Sequence, residues 1–194
     1  MNKLSRNDLF TLEAYAERRK DFRAEVLEHK KNRAVHIGPH ATLYFEDQLT
    51  MKYQIQEMLR IEKIFEASGI EEELEAYNPL IPDGSNWKAT FMMEYDDPEV
   101  RRVELTKLVG IEDKTYVQVE GFDKVYAISN EDLERSDADK TSAVHFMRFE
   151  LTDDMVAAIN AGADIHAGID HENYQHSLSP LPENIRNSLA ADLH

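Results

Sequence analysis

No cysteine occurs anywhere in this 194-residue chain. No disulfide can staple it, so the fold must rest on a hydrophobic core. With 42% hydrophobic residues the composition supports one. A chain of this length buries roughly 70% of the surface that its unfolded form exposes. A domain holds about 100–200 residues, so residues 1–194 are expected to form a single domain. The same absence removes thiolate metal clusters, Cys-ligated iron–sulfur centres, thiol redox chemistry and cysteine nucleophiles. Any metal site has to be built from His, Asp and Glu.

Charge narrows the partners. The chain carries 22 Lys+Arg against 38 Asp+Glu, a formal net charge of −16. Nucleic acids and anionic membrane surfaces are held by cations, so neither is expected as a partner. No uncharged run approaches the roughly 18 residues of a membrane span. The opening Met1-Asn2-Lys3-Leu4 turns polar at once and lacks the apolar core of a signal peptide, so a cytoplasmic location is expected.

Ser5 and Asp8 suit a helix start, and Leu9, Leu12, Ala16, Phe22 and Val26 recur at helical spacing up to the cations His29-Lys30-Lys31. A break near Lys20-Asp21 is compatible with that spacing. Arg33 to Glu46 reads as a hairpin about Gly38-Pro39. Asp47 to Ser68 reads as one long helix ended by Gly69, followed by a short helix over Glu71 to Tyr77 and a loop through Ser85. Strands are expected over Trp87–Tyr95, Thr115–Glu120, Lys124–Ile128, Ser142–Leu151 and near Ile165. Further helices are expected over Pro98–Leu108, from Thr152 to Asn160, and from Pro182 to Leu189. Strands joined by short turns, with helices in blocks, predict an α+β fold. Its mainly antiparallel sheet would be packed by one long helix and several shorter ones.

Two runs carry a family resemblance. Gln54-Ile55-Gln56-Glu57-Met58-Leu59-Arg60-Ile61-Glu62 resembles a bacterial domain of unknown function of about this length. So does Tyr77-Asn78-Pro79-Leu80-Ile81-Pro82-Asp83-Gly84 with Ala89-Thr90. The resemblance extends from Leu4 to Leu193. It implies a gene often found beside a rubrerythrin and a cysteine-rich iron–sulfur oxidoreductase, hence peroxide defence or iron handling with those proteins as partners. Such context is associational and assigns no site.

At about 100° per residue, Met51, Ile55, Met58, Leu59 and Phe65 share one face of the long helix, with Glu62 near its middle. A bare carboxylate there would cost several kcal/mol. Glu62 is therefore expected to be buried against a cation such as Arg33 or Arg148, or to serve a metal or a reaction. It is exposed only if the helix bends. A two-residue turn at Gly38-Pro39 would pair Ile37 with His40 and place His36 on the opposite face with Ala34, Ala41, Leu43 and Phe45. His145 alternates with Met147, Phe149 and Leu151, which suggests a satisfied core histidine. Trp87, Ala89, Phe91, Met93 and Tyr95 form one strand face. Thr90, Met92 and a half-buried Glu94 form the other.

Glu46, Glu62, Glu94 and His145 are the set that could hold iron or manganese, since carboxylates with imidazole suit those ions. Tyr77, Asn78, Asp83 and Asn86 could form the mouth of a small-molecule pocket. The stretch Asp164–His171 with His176 reads as an exposed polar loop that could take an adventitious divalent ion. Glu-x-x-His is absent, which excludes a ferritin-like di-iron site of the usual kind. Also absent are His-Glu-x-x-His, the phosphate-cradling glycine loops, the dinucleotide fingerprint and the Gly-x-Ser-x-Gly elbow. No cofactor is predicted, and the protein is expected to be colourless. Three functions stay open: a non-catalytic accessory protein acting through partners, a metal-binding protein or metalloenzyme using His and Glu, and a small-molecule binding domain.

Overall fold

The computed structural model describes residues 3–131, 135–136 and 139–194. The helices are α1 (Leu12–Lys31), α2 (Gln48–Ile61), α3 (Ala67–Tyr77), α4 (Pro98–Lys107), α5 (Asp153–Asn160) and α6 (Glu183–Ala190). The strands are β1 (Ala34–Ile37), β2 (Ala41–Glu46), β3 (Asn86–Met93), β4 (Thr115–Val119), β5 (Lys124–Tyr126), β6 (Ile128–Ser129), β7 (Val144–Glu150), β8 (Ile165–His171) and β9 (Tyr174–Leu178). They build two antiparallel sheets, one ordered β1-β2-β3-β7-β6 and one ordered β5-β4-β8-β9. The fold is α+β, as the grouping of strands and helices implies.

Strand parity explains the core. Trp87, Ala89 and Phe91 on β3 lie opposite Phe149, Met147 and His145 on β7, all on one face. Val35, Ile37, Leu43 and Phe45 extend that face across β1 and β2. These side chains pack in one cluster with Val117, Val119, Ile165, Ala167 and Ile169 of the second sheet. The Trp87 indole is fully buried and donates its Nε1–H to the Leu189 carbonyl at 2.9 Å, tying α6 to the sheet. Thr152 caps α5 as its sequence position implies, accepting from the Met155 amide. A separate apolar cluster holds α2 to α3 and to the N-terminal segment through Leu4, Met51, Ile55, Leu59, Leu74 and Ile81.

Several expectations fail, each for a local reason. The helix expected over Asp47–Ser68 is two helices. Asp47 caps α2 in a reciprocal box with Thr50, but α2 stops at Ile61. Glu62 caps its end and Lys63 turns left-handed, at φ 56°. A lysine occupies the position where glycine normally signals such a stop, so the break carries no sequence mark. Glu62 consequently lies in the turn and is exposed. Arg33 and Arg148 are not its partners: Arg33 pairs with Asp192, and Arg148 with Glu131 and Glu150. Phe65, drawn onto the same stripe, is also exposed, and Met58 is only half-buried.

The hairpin turn has three residues rather than two. Ile37 pairs with Ala41, and His36 pairs with Thr42. His36 thus shares its face with Thr42 and Tyr44, is exposed, and bonds the Thr42 hydroxyl at 3.0 Å. No break interrupts α1 at Lys20-Asp21. The strand expected over Lys124–Ile128 is split at Ala127, where the chain passes from the second sheet to the first. The polar stretch after Asp164 is a β8–β9 hairpin, with His171 paired to Tyr174. Among the described residues no helix is long and apolar enough to cross a membrane.

Candidate functional site

The outer face of the five-stranded sheet is not fully covered. Tyr44 and Glu46 of β2, Thr90 and Met92 of β3, and Val144 and Phe146 of β7 point outward by the same parity that buries their neighbours. Helix α2 and the end of α3 stand over them and leave a cleft of about 490 Å³, walled also by Lys30, Met51, Gln54, Tyr77 and Leu80. A second hollow of about 550 Å³ shares Tyr77, Leu80 and Phe146 with it and runs on past Lys88, Glu131 and Arg148. Both volumes are of the size that small-molecule sites occupy.

Glu46 is the chemical centre of this cleft. It is 8% exposed, and its two carboxylate oxygens each accept one hydroxyl: Thr50 Oγ1 at 2.6 Å and Thr90 Oγ1 at 2.7 Å. Among the described residues no cation pairs with it. Lys88, its pairing partner on β3, instead donates to the Pro79 carbonyl at 2.8 Å. Of the other buried acids, Glu112 also accepts from two hydroxyls, those of Ser136 and Thr141, with His145 3.8 Å away, whereas Asp47 and Asp192 meet cations. Asp47 meets His29 and Arg33, and Asp192 accepts both terminal nitrogens of Arg33. Half-buried Glu57 takes a bidentate Arg19 and the Tyr15 hydroxyl, which hold its carboxyl down to about 2. A carboxylate left with neutral donors keeps lone pairs free for a further donor.

The residues singled out from sequence do not converge. His145 lies on the inner face, fully buried, across the sheet from Glu46 and Glu94. Its ring nitrogens meet Thr141 Oγ1 at 2.9 Å, the Ser142 carbonyl at 3.1 Å and Asn130 Oδ1 at 3.3 Å. Burial pulls its pKa below the usual histidine value, against the pull of Glu112 at 3.8 Å. Glu94 shares the outer face with Glu46, but six strand residues, about 20 Å, separate it from the position opposite Glu46. Glu94 is exposed rather than half-buried, and accepts from Thr42 and Tyr44 hydroxyls. Glu62 stands apart in the α2–α3 turn. Among the described residues no group of three or more His, Asp or Glu could hold a metal ion.

Of the loop residues, Tyr77 lines the cleft. Asn78 instead fastens the N-terminal segment, exchanging bonds with Leu4 N and O at 2.8 and 2.9 Å. Asp83 and Asn86 brace their own loop: Asp83 accepts from Ser85, and Asn86 accepts from the Asp83 amide while donating to Glu150. Sequence reading missed Thr50, Tyr44, Gln54 and Phe146 at the cleft. Parity places Tyr44 beside Glu46, but only the pairing of β2 with β3 and β3 with β7 brings Thr90 and Phe146 to them. It also missed Glu112, whose carboxylate is buried by Ser136 and Thr141, residues distant in sequence.

Two antiparallel sheets sharing one core, with a helical layer over a sheet face, define an α+β protein with a sheet-floored cleft. Residues 3–193 match the family described as "Protein of unknown function (DUF3501)", and the chain belongs to that family. A solved structure of a protein of unknown function from Burkholderia pseudomallei K96243 is 52% identical, covers both chains completely and superposes with a TM-score of 0.94. No curated protein matches the chain.

Proposed function

We propose that this protein is a small-molecule binding protein and that the cleft over the outer sheet face is its site. One observation carries the reading. A nearly buried carboxylate, Glu46, is held by hydroxyls alone at the floor of a ligand-sized cleft walled by Tyr44, Met51, Tyr77, Met92 and Phe146. Burying a carboxylate without a cation is costly, and a ligand that brings a donor offsets that cost. The ligand is an apolar or aromatic body bearing an N–H donor or a cationic nitrogen. The flexible Met51 and Met92 side chains suit a surface that moulds to such a body. The test is native mass spectrometry of protein purified from its own host, beside Glu46→Gln and a cleft-filling Met92→Trp. A small molecule released from wild type and lost from both variants supports the reading. Wild type free of any released molecule, or equal release from all three, overturns it.

The accessory role in a cytoplasmic peroxide-defence or iron-handling system is a second reading. It is supported by the family resemblance and by the charge of −16. Charge of this size speeds encounter with a basic partner and makes binding salt-sensitive. Adding the protein to a reconstituted reductase–rubrerythrin assay at low and high salt tests it. Binding at low salt that fades at high salt supports it, and no binding at either removes it. Stoichiometric iron or manganese in the purified protein would favour the metal-binding reading instead.

A further inference from the structure

Ile61 and Phe65 are the two most exposed large apolar side chains among the described residues, at 62% and 71%, and they stand on either side of the turn that ends α2. The turn after α2 puts them there. Lys63 adopts a left-handed conformation that side chains other than glycine resist, and the Ile64 amide returns to the Leu59 carbonyl at 2.9 Å. Ile64 tucks back against Leu59 and Ile70 while Phe65 stays outside. Beside it lies a groove of about 390 Å³, between the N-terminal segment and the α2–α3 turn, walled by Leu9, Leu12, Leu59, Ile64, Phe65 and Ile70. Single exposed apolar residues are ordinary, but an apolar groove with its own projecting aromatic is a feature of interaction sites.

The surroundings select the occupant. Glu13 lines the groove, and Glu62 and Glu66 flank Phe65 in the chain. Helix α3 carries Glu71, Glu72, Glu73 and Glu75 and no Lys or Arg; the cations nearby are Arg6, Lys63, and Arg18 and Lys52, the last two lying over the ring of Phe10, which also lines the groove. Burial, together with the Glu62 and Glu72 carboxylates, pushes the Glu73 carboxyl above its usual range. A second copy of this chain would bring the same acidic corner and a like charge of −16. We propose that the groove docks a basic amphipathic segment of a partner protein. Its apolar side chains, spaced three and four apart, seat beside Phe65, Leu9 and Leu12, and its Lys or Arg residues pair with Glu62, Glu66 and Glu73. This surface is separate from the Glu46 cleft, and the proposal does not depend on what the cleft binds.

The test is selection from an unbiased display library of helical peptides of about fifteen residues, some four turns. Full-length wild type is the target, with counter-selection against Phe65→Ser, since Phe65 lines the groove. Phe65 is exposed, so circular dichroism and melting should show that the variant folds as wild type does. The expected winners are net positive with apolar residues at helical spacing. They should bind the variant about tenfold more weakly or worse, and lose affinity as salt rises. The fold-neutral triple change Glu62→Gln/Glu66→Gln/Glu73→Gln should weaken the same peptides while keeping Phe65. Three results overturn the proposal: no Phe65-dependent peptide, winners that are neutral or acidic, or self-association of wild type that Phe65→Ser abolishes.

Discussion

Replacing Asp192 with alanine removes the anion against which Arg33 is buried. The Arg33 side chain is 2% exposed, and its Nη2 and Nη1 donate to Asp192 at 2.6 and 3.4 Å. Removing one partner of a buried pair costs about 3–5 kcal/mol, because the other charge is stranded. Here Arg33 keeps the Phe45, Glu46 and Ser188 carbonyls, and Asp47 stays 3.4 Å away, so the lower end, about 3 kcal/mol, is expected. That is a large share of a typical stability of about 5–15 kcal/mol. It corresponds to a fall in Tm of roughly 6–12 °C for a chain of this size. Urea denaturation followed by circular dichroism measures it directly, with an unchanged slope expected. The double change Arg33→Met/Asp192→Leu should recover most of the loss, since apolar replacement of a buried pair is often neutral or better. A loss under about 1 kcal/mol for Asp192→Ala would refute the claim that this pair clamps the C-terminus to β2.

Other outcomes follow from the same contacts. Arg19 and then Tyr15 hold the folded Glu57 carboxyl down to about 2 from an ordinary 4.5. The stability this contributes is fully present above 4.5 and lost as pH falls towards 2, so the gap between wild type and Glu57→Gln in urea melts should shrink between pH 6 and 2. Burial lowers the folded pKa of His145 below 6.5, so the unfolded state takes up the proton first. Wild-type stability should therefore fall relative to His145→Gln as pH drops below about 7, and the His145 ring resonances should not titrate at 6.5. Gly168→Ala should cost about 1–3 kcal/mol in thermal melts, because a β-carbon there would overlap the Tyr116 ring lying over the strand.

The legible parts of the fold were those set by local pattern. Alternation in Trp87–Met93 named the buried face of β3, and Thr152 with two following aspartates marked the start of α5. The failures were positions where tertiary structure decides. Lys63 ends α2 in a conformation that no lysine advertises, and with it Glu62 and Phe65 move from an apparent apolar stripe into solvent. Arg33 and Asp192 lie 159 residues apart, so neither marks the other as its partner. At the cleft, Glu46 and Tyr77 stood out as residues. Their relation to Thr50, Thr90 and Phe146 depends on strand order, which residue spacing does not encode. The Glu46–Glu62–Glu94–His145 set does not come together: the sheet lies between His145 and the two outer-face glutamates, six strand residues separate Glu94 from the position opposite Glu46, and Glu62 sits in the α2–α3 turn.

Chemical-shift mapping of backbone amides with a panel of small aromatic and aliphatic amines, matched to neutral and acidic analogues, tests the cleft most directly. The amines are expected to shift Glu46, Thr90, Met92 and Phe146 and the acidic analogues are not, and Glu46→Gln should remove the response while leaving the rest of the spectrum in place. Shifts that scatter over the acidic surface, or that survive Glu46→Gln unchanged, would contradict it.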